Sequence, residues 1–550
     1  MSLRRTIPRV PAPNKLEIHL TEVESTICDL LDDCTQYLRK EKGLSVTCRI
    51  AGGWVRDKLL GSQSNDMDVA LSDIMGLAFA EFLADFAHSK GVTTGAITKI
   101  EQNPDQSKHL ETATFKILGL DLDLVNLRSE EYAEGSRIPT GVAFGTPLED
   151  ALRRDITINA LFYNVHTRKV EDFTKKGLDD IAKGLIRTPM PPRETFQDDP
   201  LRVLRCVRFS SRFGFEVAQE VKDAVKDPQI QDALVLKVAR ERVGDEVGKM
   251  IKGRDPLHAA QLIYELSLYH SIFSVIPSEA KLAMETTFAT RSLDATLAAP
   301  SVLNALTHFE PCHPLVPHRS LLDIIRSDSA TKARIYLATL LILYLGITYQ
   351  DAKNKTHLVV TAVIRDSLKL GSQNHYLDGI PALFSAVSLI KAFMLGNHPS
   401  LDRVKLGLLL RDKYVHNAAT GSHWTTSLLF SMVTELVPFY NVQNDQFNVD
   451  AAAKVISSYT SFAKTITELG LDKDVDAKPL LNGCEVGEVF GMSTRGPWIG
   501  KALQDVTEWQ LGHPSGSKSE CIEWLKGRGT ARYITEEDLK SKPAKRIRTK

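Results

Sequence analysis

From Glu17 to Lys40 apolar residues recur at helical spacing among charged ones (Leu20, Val23, Ile27, Leu30, Leu31), which predicts a helix. Val46 to Ile50 reads as a short strand, and the glycine pair Gly52-Gly53 opens a second predicted helix from Trp54 to Leu60. After the turn Gly61 to Ser64, the stretch Asn65 to Leu71 (NDMDVAL) alternates polar and apolar residues, as a strand with one buried face does. Met67, Val69 and Leu71 then point inward, so Asp66 and Asp68 project together from the other face. Asp73 to Lys90 is a further amphipathic helix, and Ile97 to Leu127 reads as strands, ending in the alternating run Leu120 to Arg128. Ser129 to Gly145 (SEEYAEGSRIPTGVAFG) has no period and is predicted to be a mobile loop. Glu149 to Asn164 places the polar triplet Arg153-Arg154-Asp155 at the edge of an apolar segment. Gly177 and Gly184 are candidate hinge points in the stretch Glu171 to Arg187. Beyond Phe215 the pattern is helical, with breaks expected at Pro300 to Pro317 and at Gly396 to Pro399.

Composition narrows the class without choosing a function. The 550 residues are too many for one core, and 43% hydrophobic with 25% charged residues suits a soluble globular protein. Basic and acidic residues balance at 68 each, so the chain is not a basic polyelectrolyte, and if it binds RNA it does so by local patches and not by overall charge. The seven cysteines are odd in number and never spaced Cys-x-x-Cys, which predicts a reduced compartment and no zinc site. The apolar run Ile335 to Tyr349 is too short to cross a bilayer and is expected to be a buried helix, so no membrane partner is anticipated. Arg4, Arg5, Arg9 and Lys15 precede the first acid, a weak presequence-like pattern. The ending KSKPAKRIRTK is a basic tail.

The chemistry gathers in Ile50 to Leu71 (IAGGWVRDKLLGSQSNDMDVAL). Gly52 and Gly53 would let backbone N–H groups approach a phosphate at a helix start, with Arg56 reaching the same anion. Asp66 and Asp68 repel unless a cation lies between them, and Mg²⁺ takes carboxylate oxygens together with substrate phosphates. A third carboxylate could come from Glu111, Asp121 or Asp123, and periodicity does not choose among them. Asp199-Pro200 is a good helix start, with Asp199 as N-cap. Arg202, Arg205 and Arg208 follow at steps of three, a ridge that repels itself unless anions face it, and triphosphate or RNA phosphate would serve. Val238 to Ile251 puts Arg242, Glu246 and Lys249 on one helix face.

GGWVRD followed by NDMD resembles the first signature of the class II tRNA nucleotidyltransferase and bacterial-type poly(A) polymerase family, within the polymerase β-like superfamily. Arg153 to Leu161 (RRDITINAL) is similar to its second signature, with Ile156 where many relatives carry phenylalanine or leucine. Asp198 to Arg202 resembles the Glu-Asp-x-x-Arg template motif, with Asp198 as its first acid. The resemblance implies an α+β polymerase β-like catalytic head of mixed sheet and helices at 1–190, then an all-α neck at 191–270, body at 271–430 and tail at 431–550. It implies Mg²⁺ on Asp66 and Asp68, triphosphate held by Gly53, Arg56 and Arg154, and ribose held by Asp155 with its neighbours, and it slightly favours Glu111 as the third carboxylate. The loop 129–145, including Arg137, would serve the last addition. Substrates would be CTP, ATP and the 3′ end and acceptor/T arm of tRNA, in cytoplasm and nucleus with the mitochondrion as a further compartment. No protein partner is deducible. A poly(A) polymerase of the same superfamily and a silent RNA-binding relative remain as alternatives, and whether one chain adds the final A stays open.

Overall fold

A capping box starts the first helix: Thr21 accepts the N–H of Glu24 while the Glu24 side chain accepts the N–H of Thr21, and α1 runs Glu22–Lys42. The computed structural model describes residues 1–4, 7–100, 112–132, 139–288, 291–310, 313–396, 402–492 and 496–533. After α1 come β1 (Cys48–Ala51), α2 (Gly53–Leu59), β2 (Asp66–Leu71) and α3 (Gly76–Ser89). Then follow β3 (Thr98–Ile100), β4 (Thr112–Ile117), β5 (Leu120–Asn126), β6 (Arg128–Tyr132) and β7 (Pro139–Phe144). The alternation read from the sequence holds in β2, where Met67, Val69 and Leu71 are buried and Asp66 is exposed.

The chain divides into two compact units. One comprises Arg4–Ser301 and Ile347–Gly371 and contains a seven-stranded mixed sheet in the order β3-β4-β5-β2-β1-β8-β9, with β8 at Phe162–Asn164 and β9 at Lys169–Glu171. Among the described residues only β2 and β5 run parallel in it. Their register sets Asp66 beside Asp121 and Asp68 beside Asp123. Helix α4 (Pro147–Leu152) precedes β8, and α5 (Gly177–Lys183) follows β9. Then come α6 (Pro192–Asp198), α7 (Leu201–Phe213), α8 (Gln219–Val225), α9 (Pro228–Lys237) and α10 (Arg240–Ile251). The other unit comprises Met1–Leu3, Val302–Gly346 and Ser372–Lys550 and is mainly helical. An α+β head followed by a helical remainder is the fold.

Four expectations change. The predicted loop at 129–145 contains two paired strands, β6 and β7, with an irregularity between Glu131 and Tyr132; the 133–138 stretch, including Arg137, lies outside the described residues. Backbone pairing here does not need a period in the side chains, which is why the sequence hid it. Of the break expected at Pro300 to Pro317 the first part is helical, since Pro300 lies inside the helix Ala295–His308, and the next helix among the described residues starts at Ser320. Gly177 is a packing position: a Cβ there would stand 2.7 Å from the Thr157 carbonyl oxygen. The run Ile335 to Tyr349 is largely buried but only its first part is α-helix: it holds the end of the helix Ser329–Leu340, then a 3-10 turn at Ile342–Tyr344 and the start of a short strand at Thr348–Gln350. Among the described residues one helix, Gln373–Leu395, is long and apolar enough by length and composition to cross a membrane. Within its unit it buries Ile380, Leu383 and Ile390, and its Phe384 stacks on Phe430 at 5.4 Å, as a core helix does.

Candidate active site

Gly52 turns the chain from β1 into α2 at φ +67°, a conformation that favours glycine. Its N–H is spent on the Leu161 carbonyl (3.1 Å), and a Cβ would stand 2.8 Å from Nη1 of Arg154. The first glycine therefore makes room for an arginine and does not itself offer an N–H to a phosphate, contrary to the expectation. Arg56 also turns inward. It is 4% exposed, donates to Asp57 and Asn159, and lies over the rings of Phe209 (5.1 Å) and Phe213 (5.0 Å).

The parallel pairing of β2 with β5 gathers the acids. Asp66, Asp68 and Asp123 each offer an oxygen within 4.8 Å of the others. Of the three candidates for a third carboxylate, Asp123 joins the cluster, Asp121 lies 3.6 Å from Lys116, and Glu111 lies outside the described residues. Burial pushes Asp68 up to about 6, with Asp66 and Asp123 adding to it and Arg154 opposing. Asp66 is raised as well, by burial and then by Asp123. Three hard oxygen donors whose charges disfavour one another fit a divalent cation.

Opposite stands the second signature. Asp150, 1% exposed at the end of α4, accepts from Nε of Arg153 (2.8 Å) and from Nη2 of Arg154 (2.8 Å). Burial would raise this acid, but Arg154 and Arg153 outweigh it and hold it at about 2. Asp150 lies three and four residues before the two arginines, the spacing that puts side chains on one helical face, so it was findable in the sequence. Asp155 accepts from Nε of Arg205 (2.7 Å), from Asn159 (3.1 Å) and from the N–H of Ile156 (2.9 Å). It too is held at about 2, with burial overcome by Arg205 and Asn159.

The arginine ridge on α7 has partners within the protein, a second source of acceptors beside the phosphates expected to face it. Arg202 donates Nη2 to the Arg153 carbonyl (2.6 Å), Arg205 pairs with Asp155, and Arg208 pairs with Glu246 (2.5 Å) on α10. Arg212 continues the ridge and pairs with Asp57 (3.0 Å). Asp199 behaves as an N-terminal cap, since Oδ1 accepts the N–H of Leu201 (3.2 Å) and its carbonyl that of Arg202 (3.0 Å). Its Oδ2 accepts from Arg242 (2.9 Å), a second role that the sequence did not show.

These side chains line one cavity of about 560 Å³, the size of a small-ligand site. Gly52, Gly53, Asp68, Asp155 and Asp199 line it together with nine arginines, at 56, 128, 153, 154, 202, 205, 208, 212 and 242. Every nucleotide-binding residue expected from the sequence is on this wall, and Asp66 belongs to the adjoining carboxylate cluster. The sequence reading missed Asp150, Asn159, Arg128, Arg153, Phe209 and Arg212 as contributors. A wall so rich in guanidinium beside three acids suits a polyanion carrying a divalent cation.

Residues 48–187 match the Poly A polymerase head domain family. Over 531 residues the chain is 35% identical to the mitochondrial CCA tRNA nucleotidyltransferase of Saccharomyces cerevisiae, covering 93% of this chain and 94% of the relative. Schizosaccharomyces pombe has two similar proteins, tRNA nucleotidyltransferases cca1 and cca2, at 31% and 33% identity, covering 94% and 92% of this chain and 98% of each relative. Among solved structures, the Bacillus stearothermophilus CCA-adding enzyme in complex with CTP is similar at 18% identity and TM-score 0.54, over 93% of this chain and 99% of that one. The Thermotoga maritima CCA-adding enzyme complexed with tRNA is similar at 17% identity and TM-score 0.52, over 92% of this chain and 95% of that one.

Proposed function

The chain belongs to the CCA tRNA nucleotidyltransferase family, and from that premise we propose that it adds C, C and A in turn to the 3′ end of tRNA. CTP and ATP are the donors, pyrophosphate leaves, and no nucleic-acid template is used. The observation that carries this reading is the cavity of nine arginines beside Asp66, Asp68 and Asp123, in a chain alike to these enzymes over nearly its whole length.

Asp66, Asp68 and Asp123 would hold Mg²⁺, which supplies Lewis-acid neutralisation of the attacking and leaving oxygens, in the two-metal manner. The chain's own part is binding and selection. Arg154, fixed by Asp150, and Arg205 and Arg208 on the ridge present positive charge to the triphosphate, and Asp155 anchors that ridge. Gly53 and Arg56 support the same wall. Asp199 and Arg202 read the base. Cytosine and adenine both present an amino donor beside a ring-nitrogen acceptor, whereas uracil and guanine present the reverse. A carboxylate that accepts, next to a guanidinium that donates, fits the first two and leaves the others with facing like groups. We assign 1–190 to the catalytic head, 191–270 to the neck, 271–430 to the body and 431–550 to a tail that takes the acceptor/T arm. The compartments are the mitochondrion, by analogy with relatives named for it, and the cytoplasm and nucleus.

The test offers purified protein a tRNA lacking its 3′ end, with each labelled nucleotide in turn. Two C and then one A, with no further growth, is the expected result. Open-ended A addition to any RNA would favour the poly(A) polymerase reading, which the matched head domain also suits. Arrest after two C would mean that a second protein adds the A.

A further inference from the structure

Asp199 spends each carboxylate oxygen once on the protein. Oδ1 accepts the N–H of Leu201 (3.2 Å) at the start of its own helix, and Oδ2 accepts Nη2 of Arg242 (2.9 Å) from α10. A carboxylate has about four acceptor positions, so both oxygens can still receive a donor from a base. What matters for reading a base is the plane in which those positions lie. The terminal torsion of an aspartate is a broad, two-fold rotor and does not define that plane by itself. The bond from Arg242 to the second oxygen does.

Arg242 is a rigid support because α10 is held at several turns. At its first residue Arg240, itself buried, donates Nε to the Ser367 carbonyl (2.7 Å), Nη1 to that of Ser271 (3.1 Å) and Nη2 to that of Ile272. One turn on, Gly244 lies so close to Leu368 that a Cβ would stand 1.7 Å from its carbonyl oxygen. Glu246 then grips Arg208 (2.5 Å), on the same helix that carries Arg202. The Nη1 of Arg242 is buried and has no hydrogen-bond partner among the described residues.

We propose that Arg242 is a positioning residue that determines nucleotide specificity: it fixes the carboxylate plane of Asp199, and acts on which bases are accepted through that carboxylate. The proposal rests on the reading of Asp199 and Arg202 as the base-reading pair. Loss of the support should therefore loosen selection more than it weakens nucleotide binding.

The test compares single-turnover incorporation of CTP and UTP on a tRNA lacking its 3′ end, for the wild type, Arg242→Gln, Arg242→Lys, Asp199→Ala and the double variant Asp199→Ala/Arg242→Gln. Arg242→Gln should lower the preference for CTP over UTP by about tenfold or more while changing KM for CTP only about threefold. Arg242→Lys, which keeps a charged donor toward Oδ2, should retain most of the preference and shows that the site still folds. In the Asp199→Ala background, Arg242→Gln should add nothing to the loss of selection. Two results would overturn the proposal: an equal slowing of both nucleotides with selection intact, or a loosening by Arg242→Gln that is as large without Asp199 as with it. Full selectivity in Asp199→Ala alone would instead overturn the base-reading assignment, so the two failures are told apart.

Discussion

Asp66, Asp68 and Asp123 converge because one parallel strand pair sets them on one face, and their oxygens come within 4.8 Å of one another. As the proposed metal ligands they should be indispensable to the chemistry and dispensable for RNA. Asp66→Ala is expected to abolish incorporation while tRNA affinity, read by filter binding, stays nearly unchanged; turnover near the wild-type rate would remove Asp66 from the metal site. The opposite wall gives a pH signature. Asp150 and Asp155 are both held at about 2 against an ordinary 3.8, because Arg154 and Arg153 at the first, and Arg205 and Asn159 at the second, outweigh the cost of burial. A carboxylate depressed in the folded state contributes stability above its unfolded pKa and loses it as pH falls through the folded one. Each should therefore contribute on the order of 2 kcal/mol at neutral pH, lost between about pH 4 and pH 2. Denaturant unfolding across that window should show the decline in the wild type, and Asp150→Asn should be less stable at pH 7 and flatter below pH 4. An equal decline in the variant would show that Asp150 is not the group titrating.

At the scale of elements, α10 is the piece that holds Asp199 and α7 through Arg242 and Glu246, and Gly244 is where it is most exposed to change. A Cβ at 1.7 Å from the Leu368 carbonyl oxygen must push apart two backbone segments, not a flexible side-chain end. Overpacking of this kind costs roughly 1–3 kcal/mol or somewhat more. Gly244→Ala should lower Tm by several degrees, measured by thermal unfolding, whereas Gly248→Ala, with nothing within 4 Å of its Cβ, should be neutral or slightly stabilising. The contrast also marks what a sequence can tell. Alternation in Asn65 to Leu71 revealed β2 and the pair Asp66 and Asp68, because strand geometry is local. The spacing of Arg202, Arg205 and Arg208 revealed a ridge, but not that Asp155 and Glu246 face it, since those acids approach from other elements. Gly52 shows the same limit from the other side: the tight turn was legible, and the guanidinium of Arg154 that fills the space left by its missing side chain was not.

Across the whole molecule the charge balance sets how RNA can be held. Lys and Arg equal Asp and Glu at 68 each, so long-range attraction to a polyanion averages to little, and affinity must come from places where the balance is broken. The cavity wall is one such place, with nine arginines on it. The ending from Lys540 to Lys550 is another by sequence, with six basic residues and no acid, although it lies outside the described residues. The two should act differently. Groups in the cavity are held by Asp150, Asp155 and Glu246 and can discriminate, whereas the basic run at 540–550, read from the sequence as a nonspecific RNA contact, would act through counterion release and treat all RNA alike. Removing 540–550 takes the formal net charge from zero to minus six. Affinity for tRNA and for an unrelated RNA of equal length should fall in the same proportion, and the log–log salt dependence should flatten by about 0.9 for each phosphate that the tail had neutralised. KM for CTP and the preference for CTP over UTP should be those of the full chain. A deletion that left the salt slope unchanged would place RNA affinity wholly on ordered surfaces, and one that altered nucleotide preference would mean that the tail reaches the catalytic cavity.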